Sequence, residues 1–198
     1  MRQAQPRLPA GPGPAPMSAG KIGVLGMDNA TWRRHASPWS VYTRMATLPL
    51  LVAAIWSHST LGLGPSLALT LGVMIWLWTN PRLFPAPKNT NTWASRATFG
   101  ERIWLNRAKV PIPSSEETTA IVLSLVTGVG FMATIFGAVF NDLLITLPGL
   151  LITYTGKLVF LQRMVGLYET MRDAHPLYRF WTTYPDNDNR RQDIASAN

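Results

Sequence analysis

The chain has 198 residues, 47% of them hydrophobic, with 18 Lys and Arg against 10 Asp and Glu, a formal charge of +8 and no cysteine. Its length suits one domain, and the missing cysteines exclude disulfides and thiolate-based metal or nucleophilic chemistry. The basic balance does not call for nucleic acid, because cytoplasmic loops of membrane proteins accumulate Lys and Arg and produce the same excess.

Residues 1–27 contain five Pro and five Gly, no acidic residue and no periodic apolar pattern. They read as disordered. The apolar stretch Ile22 to Leu25 is too short for the core of a signal peptide, and Met27 is the expected true translation start. Asp28, Asn29 and Thr31 are helix-capping residues before a short segment around Trp32 to Ala36, and Ser37-Pro38 should end it.

From Arg44 to Arg82 the one ionisable side chain is His58. A hydrocarbon core of roughly 30 Å needs about 20 helical residues per crossing, so this run is long enough for a hairpin. It predicts spans over 41–57 and 61–79, the second stopped by Asn80-Pro81. Phe84-Pro85-Ala86-Pro87 reads as an extended connector. Trp93 to Arg107 is predicted helical, with Trp and Arg sharing one half of the wheel, so it should pack on protein and headgroups. Val110-Pro111-Ile112-Pro113 breaks it, and Ser114-Ser115-Glu116-Glu117 should cap the next helix, the acids serving only to match its dipole.

Two further spans are predicted over 118–140 and 143–165. The first is rich in small residues, among them Gly128, Gly130, Thr134, Gly137 and Ala138, and the second offers Gly149, Thr153 and Gly156. Small residues let backbones approach where lipid removes the hydrophobic drive, so these two helices should pack tightly. The last helix should run on through Tyr168 and Glu169, and residues 183–198 read as a disordered tail.

The basic residues fall into three groups of six: before or opening the first span, between the second and third, and ending or following the fourth. The connectors at the other ends of the spans carry none. By the positive-inside rule the chain is expected to be an all-α integral membrane protein with its basic side in the cytoplasm. It crosses four times as two hairpins with a structured cytoplasmic loop, and both termini lie inside.

Polar residues converge on the basic side, and the expected cap comprises His35, Trp39, Arg44, Asn80, Arg82, Glu101, Asn106, Arg107, Lys157 and His175. Each has a plain reading: the Arg and Lys as snorkelling anchors, the Trp as interfacial aromatics, Glu101 as an ion-pair partner for Arg44, Arg82 or Arg107. The same cap should bring His35 and His175 together. Three His in all are too few for a histidine-rich iron site, and no metal or other cofactor is expected. Neither a Gly-x-Ser-x-Gly elbow nor a Gly-rich phosphate loop is present.

His35-Ala-Ser-Pro-Trp-Ser-Val-Tyr-Thr-Arg44, Asn80-Pro-Arg-Leu-Phe-Pro85, Gly100-Glu-Arg-Ile-Trp-Leu-Asn-Arg107 and His175-Pro-Leu-Tyr178 together resemble a family of small bacterial integral membrane proteins defined as a domain of unknown function. The resemblance covers about residues 28–182. It implies a bacterial membrane protein and no particular activity. Two functions are weighed. The first is a non-catalytic subunit that binds a membrane partner through its cap and small-residue faces. The second is an interfacial enzyme or binding protein for an anionic lipid or prenyl phosphate, with Arg44, Arg82, Arg96 and Arg107 on the phosphate and Glu101 or His175 as acid–base group.

Overall fold

The computed structural model describes residues 29–175 and Tyr178. The disordered segments expected over 1–27 and 183–198, and the Asp28 cap, lie outside the described residues. The described chain is helical: α1 (Asn29–His35), α2 (Pro38–Trp56), α3 (His58–Leu61), α4 (Leu63–Leu83), α5 (Trp93–Leu105), α6 (Ser114–Val139) and α7 (Leu143–Met171), with no strand among the described residues.

The break at Ser37-Pro38 forms as expected. Ser37 is extended (φ −62°, ψ 130°) and Pro38 opens α2, where its missing N–H would have been unpaired anyway. The second proline break does not form, and α4 runs through Asn80 and Pro81 to Leu83. The reason is tertiary. Asn80 is fully buried, its Nδ2 donates to Thr43 Oγ1 and its Oδ1 accepts from Ser40 Oγ, both at 2.8 Å. These bonds to α2 hold Asn80 helical against the local preference of a residue before proline.

α2 and α4 form one hairpin, and the short connector expected between them is the one-turn helix α3. Besides the Asn80 bonds, Ser66 Oγ donates to Ala54 O at 2.8 Å and Trp76 Nε1 to Thr47 Oγ1 at 3.1 Å. Bonds of this kind between helices in lipid average roughly 0.6 kcal/mol each.

α6 and α7 form the second hairpin on the small residues expected of it. A Cβ on Gly130 would lie 2.9 Å from Thr153 N, and one on Gly149 would lie 2.6 Å from Thr134 N. Gly128 is the exception, because nothing lies within 4 Å of its Cβ position. At the turn Asn141 adopts φ 53°, and Asp142 caps α7 by accepting from Leu144 N and Ile145 N at 2.9 and 3.1 Å. The expected cap of α6 does not form; its N-cap position is Pro113, without a side-chain bond.

The hairpins touch mainly through α2, which meets α6 and α5. Pro49 lies inside α2 and has no N–H to give the carbonyl four residues earlier. That carbonyl belongs to Met45, and the Tyr154 hydroxyl of α7 donates to it at 2.6 Å. Asn141 Nδ2 makes a second tie, to Trp56 O at 3.2 Å. At the basic end α5 lies across α7. Phe99 stacks on Tyr168, Trp104 meets Phe160 edge-on, and Arg96 pairs with Glu169 at 2.6 Å. A buried apolar core sits there, around Phe99, Ile103, Met164 and Leu167.

Away from that end, the outer faces of α4, α6 and α7 expose Leu67, Leu71, Val129, Met132, Leu144 and Leu151. Two helices, α6 and α7, are long and apolar enough to cross a membrane, against the four expected. α2 and α4 have 19 and 21 residues, about 28 and 31 Å of helix. Their ends at the basic side, however, carry Arg44 and Arg82 together with Ser40, Thr43, Thr47 and Asn80, the last four of which help join the hairpin.

Candidate functional site

Between the hairpins lies a cavity of about 640 Å³. α2, α6 and α7 form its walls, and α5 with the end of α1 closes its basic end. Val41, Met45, Leu48, Phe131, Phe160 and Leu161 supply most of its apolar lining, with Thr98, Ser124, Thr127, Thr153 and Tyr154 among the polar groups. Four ionisable side chains meet at one end: His35, Arg44, Glu101 and Lys157.

Their geometry is specific. Lys157 Nζ lies 2.7 Å from Glu101 Oε1 and 4.7 Å from the centre of the Phe160 ring. Arg44 donates Nε–H to Ser40 O at 3.0 Å, and its Nη1 stands 2.7 and 2.6 Å from the two ring nitrogens of His35. A guanidinium only donates, so the His35 ring presents a lone pair to it and is neutral. Burial, followed by the charges of Arg44 and Lys157, pushes the His35 pKa down from 6.5 to about 3.

The sign of that shift sets a pH dependence. Unfolded His35 takes up a proton near pH 6.5, whereas folded His35 resists until about 3, so in that window the unfolded state binds more protons and stability falls as pH falls. Between pH 7.5 and 5 this one group should cost on the order of 2 kcal/mol. Thermal unfolding of His35→Gln at each pH should show a flatter slope than the natural chain. Identical slopes would mean that His35 already charges in the folded protein.

The ten residues expected to form one cap separate into several groups. His35, Arg44, Glu101 and Lys157 do assemble. Asn80 is a buried strut of the first hairpin. Trp39 is 71% exposed on its outside, and Arg82 stacks over Trp78 at 4.3 Å from the ring centre. Asn106 is buried beside the Tyr178 hydroxyl. Arg107 pairs with Glu117 at 2.9 Å and stacks on Trp104 at 4.4 Å.

The partner expected for Glu101 was an arginine. Lys157 takes the position instead, because the long last helix carries it directly beneath α5. His175 packs on Tyr178 at 5.8 Å between ring centres, while His35 packs on Trp32 at 5.4 Å, so each histidine has an aromatic partner of its own. Glu116 and Glu117 do more than match a helix dipole, lying 3.8 Å from Arg163 and 2.9 Å from Arg107.

Sequence reading missed Tyr154, Thr98 and the Gly128 opening. One signal for Tyr154 was present, since a proline inside a span frees a carbonyl that another element must satisfy. Residues 18–185 of the chain match the Family of unknown function (DUF6653). The match reaches upstream of Met27, into the segment expected to be disordered. No curated protein and no solved structure matches the chain.

Proposed function

We propose that this member of the Family of unknown function (DUF6653) is a four-span protein of the bacterial inner membrane with both termini inside. We propose further that it acts without catalysis, holding an amphiphilic molecule in the cavity between its hairpins. The cavity carries this reading: its body is apolar, one end is charged, and about 640 Å³ falls within the range of small-molecule sites. The one-sided distribution of 18 basic residues supports the orientation, and the exposed apolar faces of α4, α6 and α7 support a lipid environment.

The other readings have less support. A phosphate-holding cluster of Arg44, Arg82, Arg96 and Arg107 does not assemble, because Arg96 and Arg107 are committed to Glu169 and Glu117 and Arg82 to Trp78. Of the two acid–base groups that reading needs, Glu101 holds Lys157, and His175 packs on Tyr178 and does not line the cavity. A partner helix cannot use Gly130, Gly137, Gly149 or Gly156, whose faces are filled within the α6–α7 pair.

Two measurements test the proposal. An impermeant thiol reagent applied to intact cells should label Ser59→Cys and spare Lys88→Cys, and the reverse pattern would invert the topology. For the cavity, Gly128 lines it and has free space beyond its Cβ position, so Gly128→Leu should fill it without lowering the melting temperature. That variant should lose binding of an environment-sensitive fluorescent monoacylglycerol that the natural chain retains. Equal binding by both would place the amphiphile elsewhere.

A further inference from the structure

The charges at the end of the cavity specify the headgroup it takes, given the amphiphile-binding reading on which this inference rests. Lys157 and Glu101 neutralise each other at 2.7 Å. His35 contributes no charge, because its lone pair faces Arg44. Glu101 also attracts Arg44 through space, but no acid lies within 4.0 Å of Arg44 among the described residues, so Lys157, Glu101 and Arg44 together leave one net positive charge at this end. Its Nε–H and Nη1 are used, on Ser40 O and His35, whereas Nη2 makes no hydrogen bond among the described residues. A partly buried guanidinium with a free nitrogen beside an apolar cavity gains most from an anion that can accept from it and leave its tail among Met45, Leu48 and Phe131.

We infer that the cavity holds a monoanionic amphiphile, with a carboxylate or phosphodiester head on Arg44 and one or more hydrocarbon tails between the hairpins. A neutral head would leave the net positive charge at this end unbalanced. A phosphate monoester, at about −1.5 to −2 near neutral pH, would bring a second negative charge that must displace Glu101 from Lys157 or remain unbalanced. The same reasoning makes Glu101 a selectivity residue: while it occupies Lys157, the site offers one net positive charge.

The test measures displacement of the fluorescent monoacylglycerol from the full-length chain in nonionic detergent at pH 8. Four competitors are matched in chain length: a fatty acid, a lysophosphatidylglycerol, a monoacylglycerol and an alkyl phosphate monoester. Either or both of the first two should bind at least tenfold more tightly than the monoacylglycerol and the monoester, and their relative strength identifies the headgroup as carboxylate or phosphodiester. Arg44→Gln should abolish the advantage of the anions over the monoacylglycerol. Glu101→Gln, which frees Lys157, should improve binding of the monoester at least tenfold and provides a second variant if Arg44→Gln does not fold. Equal binding of all four competitors, or a natural preference for the monoester, would overturn the monoanion inference while leaving amphiphile binding intact. Failure of the natural chain to bind the fluorescent probe and all four competitors would overturn the underlying reading instead.

Discussion

Gly100→Ala should lower stability by about 3 kcal/mol or more, in the upper range for overpacking, and should also abolish amphiphile binding. Gly100 is buried where α5 crosses α7. A Cβ there would land on the Met164 carbonyl oxygen and lie 2.6 Å from its carbonyl carbon. Both are backbone atoms, so no rotamer change relieves the clash and α5 must lift away. Lifting it breaks the Phe99–Tyr168 stack, the bond from Trp93 Nε1 to Gln162 Oε1 at 2.9 Å and the Arg96–Glu169 pair. It also carries Glu101 away from Lys157 and opens the charged end of the cavity. The control is Gly166→Ala on α7, where nothing lies within 4 Å. Alanine in an open helical position should be neutral or stabilising, by up to about 1 kcal/mol. Thermal unfolding of both variants in the same detergent decides the point, and equal midpoints would mean that α5 and α7 do not cross in close backbone contact.

Gly137→Leu should be comparably damaging through the other close approach. Its Cβ would lie 2.5 Å from Thr146 Oγ1, 2.6 Å from Thr146 N and 3.0 Å from Asp142 O. Asp142 N donates to Gly137 O at 2.8 Å, and Asp142 caps α7, so the clash falls on the turn that starts the last helix. Forcing the two helices apart forfeits the dispersion attraction between closely packed backbones, and the cost should again be about 3 kcal/mol or more. Leu123→Ala, on the same helix and half-buried, should cost less, and Gly128→Leu nearly nothing. Tolerance of Gly137→Leu equal to that of Gly128→Leu would show that the two hairpin helices separate freely at this end.

The sequence by itself determined what depends on neighbours along the chain. Proline at Pro38, small residues on both helices of the second hairpin and apolar runs of span length are local causes with local effects. The structure accordingly has its helix break at Ser37, its tight α6–α7 pair and its helix at Trp93–Leu105 where the pattern placed them. Tertiary structure decided the rest, for two physical reasons.

Local preference was first overruled wherever a distant side chain supplied a compensating bond. Asn80 stays helical before Pro81 because Ser40 and Thr43 hold its amide, and Met45 can lose its helical donor to Pro49 because Tyr154 replaces it. In addition, charge pairing depends on which helices lie side by side. Composition shows that Glu101 needs a cation near the basic end and leaves several in reach. Only the crossing of α5 over α7, set by the absence of a side chain at Gly100, gives it Lys157. With Lys157 and His35 thus accounted for, Arg44 is the residue left facing the cavity without a carboxylate in contact.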